Sequence, residues 1–251
     1  MRTGCAMPRV SARGVPGPEE PLILAAPRRD TAIAVVISAV TAVVFAVAAN
    51  HAALSHIQRL DDSWLRLMVS LRNPPVTVVA KIFNILGLVY VTFPVRLAIA
   101  GYLAFRRRWW HLAAFAAAVV LSEILIGPLK AAYDRARPSG SLVATSGASF
   151  PSGHSIAASV TVLAAVIALV PAGRRRVAWG LAATAFALLM ALTRAYLGAH
   201  WLSDAIAGLL VGTSCALLAA VAVDRAQRGW RRRHGIHDAA PHEAVRPADR
   251  R

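Results

Sequence analysis

The chain has 251 residues, 57% of them hydrophobic, and 28 Lys and Arg against 12 Asp and Glu give it a net charge of +16. With a mean hydropathy of +0.54 and its apolar residues gathered in blocks, this composition excludes an ordinary water-soluble globule. It also argues against a nucleic-acid partner, because the arginines lie in the termini and in short clusters between apolar runs, with no basic face interleaved with aromatics.

Residues 1–30 are rich in Pro, Gly and Arg without apolar periodicity, which predicts a disordered cytoplasmic tail. Cys5 lies in this polar stretch with no apolar run before it, so no lipoprotein or secretory signal is expected; Cys215 lies in an apolar run, and two cysteines supply neither a disulfide framework nor a zinc cluster. Residues 31–49 are uncharged Ala, Val and Ile, close to the ~20 residues needed to cross the hydrocarbon core, and form the first expected span. Residues 50–75 mix His51, His56, Arg59, Asp61, Asp62 and Arg66 with Leu60, Trp64, Leu65, Leu67 and Met68, the pattern of an amphipathic helix lying at the interface.

The second span is expected within residues 82–105. It holds Pro94 and Arg96, and Arg96 at that depth either snorkels toward Arg106, the preferred expectation, or faces the protein interior. Arg106, Arg107 and Arg108 with Trp109 and Trp110 form a turn with an aromatic belt. The third span, 112–129, ends at Lys130, and its Glu123 is expected to partner a nearby cation. Residues 131–150 read as loop, 155–169 or 170 as the fourth span, 171–176 as a short arginine loop, 177–192 as the fifth span and 201–223 as the sixth. Residues 224–251 read as a basic cytoplasmic tail whose His234, His237 and His242 are solvated. The domain organisation is thus a tail (1–30), a six-helix membrane domain (31–223) and a second tail (224–251).

Four arginine clusters, at 28–29, 106–108, 174–176 and 225–233, fall on one side of a six-span arrangement, and the positive-inside bias makes that side cytoplasmic. The loops after spans three and five then share the opposite, extracytoplasmic face. Those loops carry the polar residues. Lys130, Arg137 and Arg194 are three permanent cations suited to phosphate oxygens. Ser152 and Gly153 open the fourth span, where unpaired backbone N–H groups and the helix dipole favour an anion. His200 and Asp204 stand four apart, on one helical face, so the carboxylate is expected to hold one ring nitrogen and leave the other free to attack; His154 is left as the acid.

Lys130 through Pro138, Pro151-Ser152-Gly153-His154, and Thr193-Arg194 followed by His200 and Asp204 resemble the three-block signature of the type-2 phosphatidic acid phosphatase family, which shares its core with bacterial acid phosphatases and vanadium haloperoxidases. Thr193 departs from the usual Ser and keeps the hydroxyl. Tyr133, Asp134 and Arg135 fall inside the first block and are expected to be loop structure only. The resemblance implies an all-α, polytopic membrane protein with an acid phosphatase/haloperoxidase-like helical core. It implies hydrolysis of a lipid phosphomonoester or diphosphate, of phosphatidate, phosphatidylglycerol phosphate or polyprenyl type, through a phosphohistidine. It also implies catalysis without a cofactor, and no acidic cluster suited to magnesium is present in the sequence. A lipid phosphotransferase and a non-catalytic phospholipid-binding membrane protein are the competing expectations.

Overall fold

A computed structural model describes residues 20–236. Among them lie eight helices and no strand: α1 (Pro27–Ala48), α2 (His51–Ser70), α3 (Pro74–Leu86), α4 (Val89–Phe105), α5 (Trp109–Tyr133), α6 (Gly153–Leu169), α7 (Arg174–Tyr196) and α8 (Leu202–Arg233). Helix α8 is the axis. At 32 residues it is about 48 Å long, and α1, α5, α6 and α7 all pack against it.

Close approach between α6 and α8 follows from small residues. A Cβ on Gly208 would sit 2.5 Å from the carbonyl oxygen of Ser152, and one on Gly212 would sit 2.6 Å from that of Ile156. Two glycines four apart on α8 therefore receive the small Ser155 and Ser159 of α6, the packing that membrane helices use where lipid provides no hydrophobic drive to associate. The space beside this seam is filled by Leu103, Phe115, Ile156, Val160, Val211 and Cys215.

Helices α1, α5, α7 and α8 are long and apolar enough to cross a membrane, and α1 turns Val35, Val36, Val40 and Val43 outward. The second expected span is a bent pair. Asn73 caps α3 by accepting from the Val76 amide, and the chain breaks at Gly87 and Leu88 so that α3 and α4 meet at 54°. Together the pair has the length and composition of a fifth span. The expected fourth span, α6, has 17 residues and is largely enclosed by its neighbours.

Two boundaries and one side chain differ from expectation. Residues 20–26, assigned by composition to a tail, are packed: the Glu20 carboxylate accepts from the amides of Trp110 (3.1 Å) and His111 (3.0 Å) at the start of α5, and Ile23 is fully buried. A carboxylate at a helix N-terminus satisfies donors that have no intrahelical partner. Helix α8 runs ten residues past 223, because Asp224 accepts from the Leu24 amide at 3.0 Å and Arg228 binds both Asp224 and the Leu24 carbonyl. Arg96 does not snorkel. Its Nη1 donates to Glu123 at 2.7 Å and its Nε to Thr161 at 2.9 Å, stapling α4 to α5 and α6, and this supplies the cation that Glu123 was expected to find. Residues 1–19 and 237–251, with Cys5, His237 and His242, lie outside the described residues.

The glycine seam gives a stability test. Gly212→Ala should lower the unfolding midpoint in detergent, as overpacking of about 1–3 kcal/mol requires. Gly229→Ala, where a Cβ meets nothing within 4 Å, should leave it within a degree or two; equal behaviour of the two variants would refute the seam.

Candidate active site

The three motif segments converge at the end of α8. Helix α5 stops after Tyr133, where Asp134 takes the left-handed conformation (φ 35°) and turns the chain into the 135–152 loop. Ser152 caps α6, and its own amide donates to the Asp204 carbonyl at 3.0 Å. Gly198, at φ +68°, turns the chain from α7 toward His200; a side chain there would also crowd Arg72.

His200 is 3% exposed. Its Nδ1 lies 2.8 Å from the Ser149 carbonyl oxygen, which can only accept, so Nδ1 carries the proton and Nε2 keeps its lone pair. Arg137 Nη1 points at that Nε2 from 3.1 Å. Burial, countered by Asp204 and reinforced by Arg137, pushes the His200 pKa down to about 4.

Asp204 does not hold the ring as its spacing predicted. Its nearer oxygen is 3.8 Å from Nδ1, beyond hydrogen-bonding distance. That oxygen accepts instead from the Ser149 hydroxyl at 2.5 Å and from the Trp201 amide at 3.0 Å, while the other accepts from Arg135 Nη1 at 2.6 Å. The reason is local: as the third residue of α8, Asp204 caps its own helix, and Ser149 comes between carboxylate and ring. The carboxylate thus orients the residue whose carbonyl orients His200.

The cations surround this pair. Arg137 is fixed by the carbonyls of Gly147 (2.9 Å), Ser146 (2.8 Å), Ala148 (3.2 Å) and Ala199 (2.7 Å), and Lys130 donates to the Ala148 carbonyl at 2.6 Å. Arg194 is 2% exposed; its Nη1 donates to the Asn84 side chain and its Nε is buried without a partner. A buried guanidinium N–H left unsatisfied costs on the order of 1–3 kcal/mol until an acceptor arrives.

His154 comes in from the start of α6. Its Nε2 donates to the Asn84 carbonyl at 3.2 Å, and it lies within electrostatic range of Arg194, His200 and Arg137. The ring occupies space left by Gly87: a Cβ there would come to 3.0 Å from His154 Cγ and closer still to Cδ2. Next to it, Gly153 has open space on its Cα. From His154 and Gly153 a cavity of about 550 Å³ runs between α4, α5 and α6, lined by apolar side chains such as Phe93, Leu97 and Val120, with Arg96 and Glu123 part-way along.

The structure therefore brings together Lys130, Arg137, Gly153, His154, Arg194, His200 and Asp204. Ser152 is present but spends its amide on Asp204 and its hydroxyl on capping α6, so among the two expected anion donors of the turn Gly153 is the open one. The expectation that Tyr133, Asp134 and Arg135 are mere loop is corrected: Tyr133 ends α5 with its hydroxyl on the Phe45 carbonyl (2.7 Å), Asp134 makes the turn, and Arg135 binds Asp204. Sequence reading passed over Ser149, Asn84 and Gly87. A lone Asn next to a Gly-Leu break within an apolar stretch was the one visible sign of the latter two; Ser149, in a Ser- and Gly-rich loop, gave none.

Residues 109–228 match the profile of the PAP2 superfamily. A transmembrane PAP2-type phosphatidylglycerolphosphate phosphatase from Bacillus subtilis superposes with a TM-score of 0.63 at 23% identity, covering 82% of this chain and 98% of that one. LpxE from Aquifex aeolicus superposes with a TM-score of 0.54 at 24% identity, covering 64% of this chain and 94% of that one. A search of curated proteins by sequence finds no match. The profile match covers the segment that carries all three motif blocks, so over residues 109–228 the chain is similar to the PAP2 superfamily, and the two solved structures share its fold.

Proposed function

We propose that the protein hydrolyses a phosphomonoester or diphosphate of a membrane lipid, with His200 as the residue phosphorylated in passing. The observation that carries this reading is a neutral His200 imidazole whose Nε2 faces Arg137 among the clustered cations, beside a His154 that lines an apolar cavity of about 550 Å³.

In the first step Nε2 attacks phosphorus in line, the N–P bond forms and the bond to the lipid oxygen breaks. Arg137 exchanges Nε2 for a phosphoryl oxygen, freeing the lone pair. Arg194 gives its unpartnered Nε to the same group, and Lys130 and the Gly153 amide neutralise the charge spread over the equatorial oxygens. As His200 becomes imidazolium, the Ser149 carbonyl, backed by Asp204, receives the Nδ1–H more strongly. His154 keeps its own Nε2 proton on the Asn84 carbonyl; its Nδ1 takes a second proton that arrives on the phosphate group and passes it to the leaving alkoxide. In the second step it takes a proton from water; the resulting hydroxide attacks phosphorus, the N–P bond breaks and inorganic phosphate leaves.

The substrate class proposed is the phosphatidate, phosphatidylglycerol phosphate or polyprenyl diphosphate type, whose apolar tails suit the apolar lining of the cavity. The proposed topology counts the α3–α4 pair and α6 as crossings. With four spans from α1, α5, α7 and α8 this makes six and puts both loop clusters of the site on the face opposite the arginine clusters, the extracytoplasmic one.

Purified protein in detergent, assayed for phosphate release from a panel of lipid phosphates, should lose at least about 10³-fold in kcat with His200→Ala and about 10²-fold with His154→Ala, and the rate should be indifferent to EDTA. Turnover surviving His200→Ala would sink the phosphohistidine. Gly87→Ala should cost at least tenfold in kcat while Gly101→Ala, which meets nothing within 4 Å, costs nothing; comparable rates would show that His154 does not need that space. The His200 imidazole, followed by NMR on labelled protein, should stay neutral down to about pH 5 and titrate near 4. A depressed pKa means that the nucleophile survives acidification until that point, so a midpoint at or above the ordinary 6.5 would contradict the resting state described.

A further inference from the structure

Arg135 lies two residues from the phosphate-binding Arg137, yet its guanidinium is turned away from the cation cluster. Nη1 donates to Asp204 (2.6 Å) and to the Ser203 hydroxyl (2.7 Å); Nη2 donates to Gln58 (2.6 Å) and to Asp61 (2.7 Å); the ring of Trp201 lies 5.5 Å from its central carbon. Four of its five N–H groups have no capacity left for substrate. Asp61 is 2% exposed although it sits on the amphipathic helix α2, whose Leu60 and Leu67 face outward. Besides Arg135, it accepts from the Ser203 amide at 2.9 Å and from the Ser203 hydroxyl at 2.5 Å. It therefore binds the first turn of α8, one residue before Asp204, from the other side.

We infer that Arg135 and Asp61 are positioning residues: an acid on the interfacial helix holds a guanidinium that in turn sets the carboxylate behind Ser149 and His200. The chain of contacts runs from Asp61 to Arg135, to Asp204, to the Ser149 hydroxyl, and through Ser149 to His200 Nδ1. Each link is a hydrogen bond between buried or largely buried groups, and three of the links join charged partners or a charged acceptor, so the ring orientation is inherited from α2. Asp204 faces Arg135 with one oxygen and Ser149 with the other; losing the guanidinium leaves a buried carboxylate free to rotate toward His200 or Trp201. The substrate phosphate is not part of this chain, and that separates Arg135 from its neighbour Arg137.

This inference rests on the hydrolase reading above. The test is steady-state kinetics on the lipid phosphate that wild type hydrolyses best, for Arg135→Ala, Arg135→Lys, Asp61→Asn and the Asp61→Asn/Arg135→Ala pair, each with its unfolding midpoint recorded. Expected is a fall in kcat of roughly 10- to 100-fold for Arg135→Ala with KM changed less than about threefold, since a misplaced catalytic group costs rate and not ground-state binding. Arg135→Lys should recover part of kcat by keeping a cation on Asp204. Asp61→Asn should fall between, and the pair should be no worse than Arg135→Ala alone, because both changes break one chain. Should Arg135→Ala fail to fold, the lysine and asparagine variants carry the same split between kcat and KM. A rise in KM at constant kcat would make Arg135 a substrate ligand, and kcat unchanged or strictly additive effects would leave the chain of contacts without consequence; each overturns the inference while the hydrolase reading stands. A wild type without phosphatase activity overturns both.

Discussion

One buried carboxylate ties the molecule's active end together. Asp204 caps α8 through the Trp201 amide, receives the Ser149 hydroxyl from the loop after α5, and faces Arg135 from that loop's other end; its backbone carbonyl accepts the Ser152 amide that opens α6. Segments separated by some seventy residues of chain thus meet on the atoms of a single side chain and its own carbonyl. A fully buried acid with no cation beside it would be expensive to keep ionised, and Arg135 supplies that cation. The loops are held in place by the same bonds that keep the acid charged, so order in the site and ionisation of Asp204 are one property.

That arrangement needs α6 and α8 close together, and the helices come close because Gly208 and Gly212 present bare backbone where Ser152, Ser155 and Ile156 arrive. Without Cβ atoms on α8, the Ser152 turn descends far enough for its amide to reach Asp204. Gly87 does the corresponding work on the other flank, giving the His154 ring a place between the α3–α4 break and Met190. Backbone approach in the membrane part and side-chain geometry in the polar part are therefore consecutive steps of the same construction.

The sequence made much of this readable. Lys130, Arg137, His154, Arg194, His200 and Asp204 stand out because each interrupts or borders an apolar run, and their grouping into blocks leaves few alternatives. What stayed hidden is what spacing cannot encode. A separation of four predicts that His200 and Asp204 share a helical face, but the helix begins only at Leu202, so His200 lies in the preceding turn and Ser149 enters between them. Arg135 looked idle because Asp61, its second acid, belongs to a helix more than seventy residues earlier. Arg96 was expected to snorkel because its partners, Glu123 and Thr161, lie 27 and 65 residues further along the chain on other helices. The tail boundaries failed for a similar reason: Glu20, Ile23 and Leu24 look like any polar-to-apolar margin until α5 and α8 are seen to need caps there.

Charge arithmetic at the site connects the resting structure with its occupant. Lys130, Arg135, Arg137 and Arg194 face Asp61 and Asp204, and His154 and His200 are neutral before substrate binds, which leaves a surplus of two positive charges in a largely buried volume. Backbone carbonyls of residues 146–148 and 199 absorb part of that surplus as dipoles, and they do so on Arg137 and Lys130. Arg194 has no such compensation at Nε. An anion carrying two charges and oxygens in three directions neutralises the excess, gives Arg194 its acceptor and draws Arg137 off Nε2, which exposes the lone pair only when phosphorus is there to receive it. Until substrate binds, the same guanidinium that will hold phosphate keeps the imidazole neutral and covered, so the strongest electrostatic interaction available to the pocket appears with substrate and grows as charge develops on the transferring group.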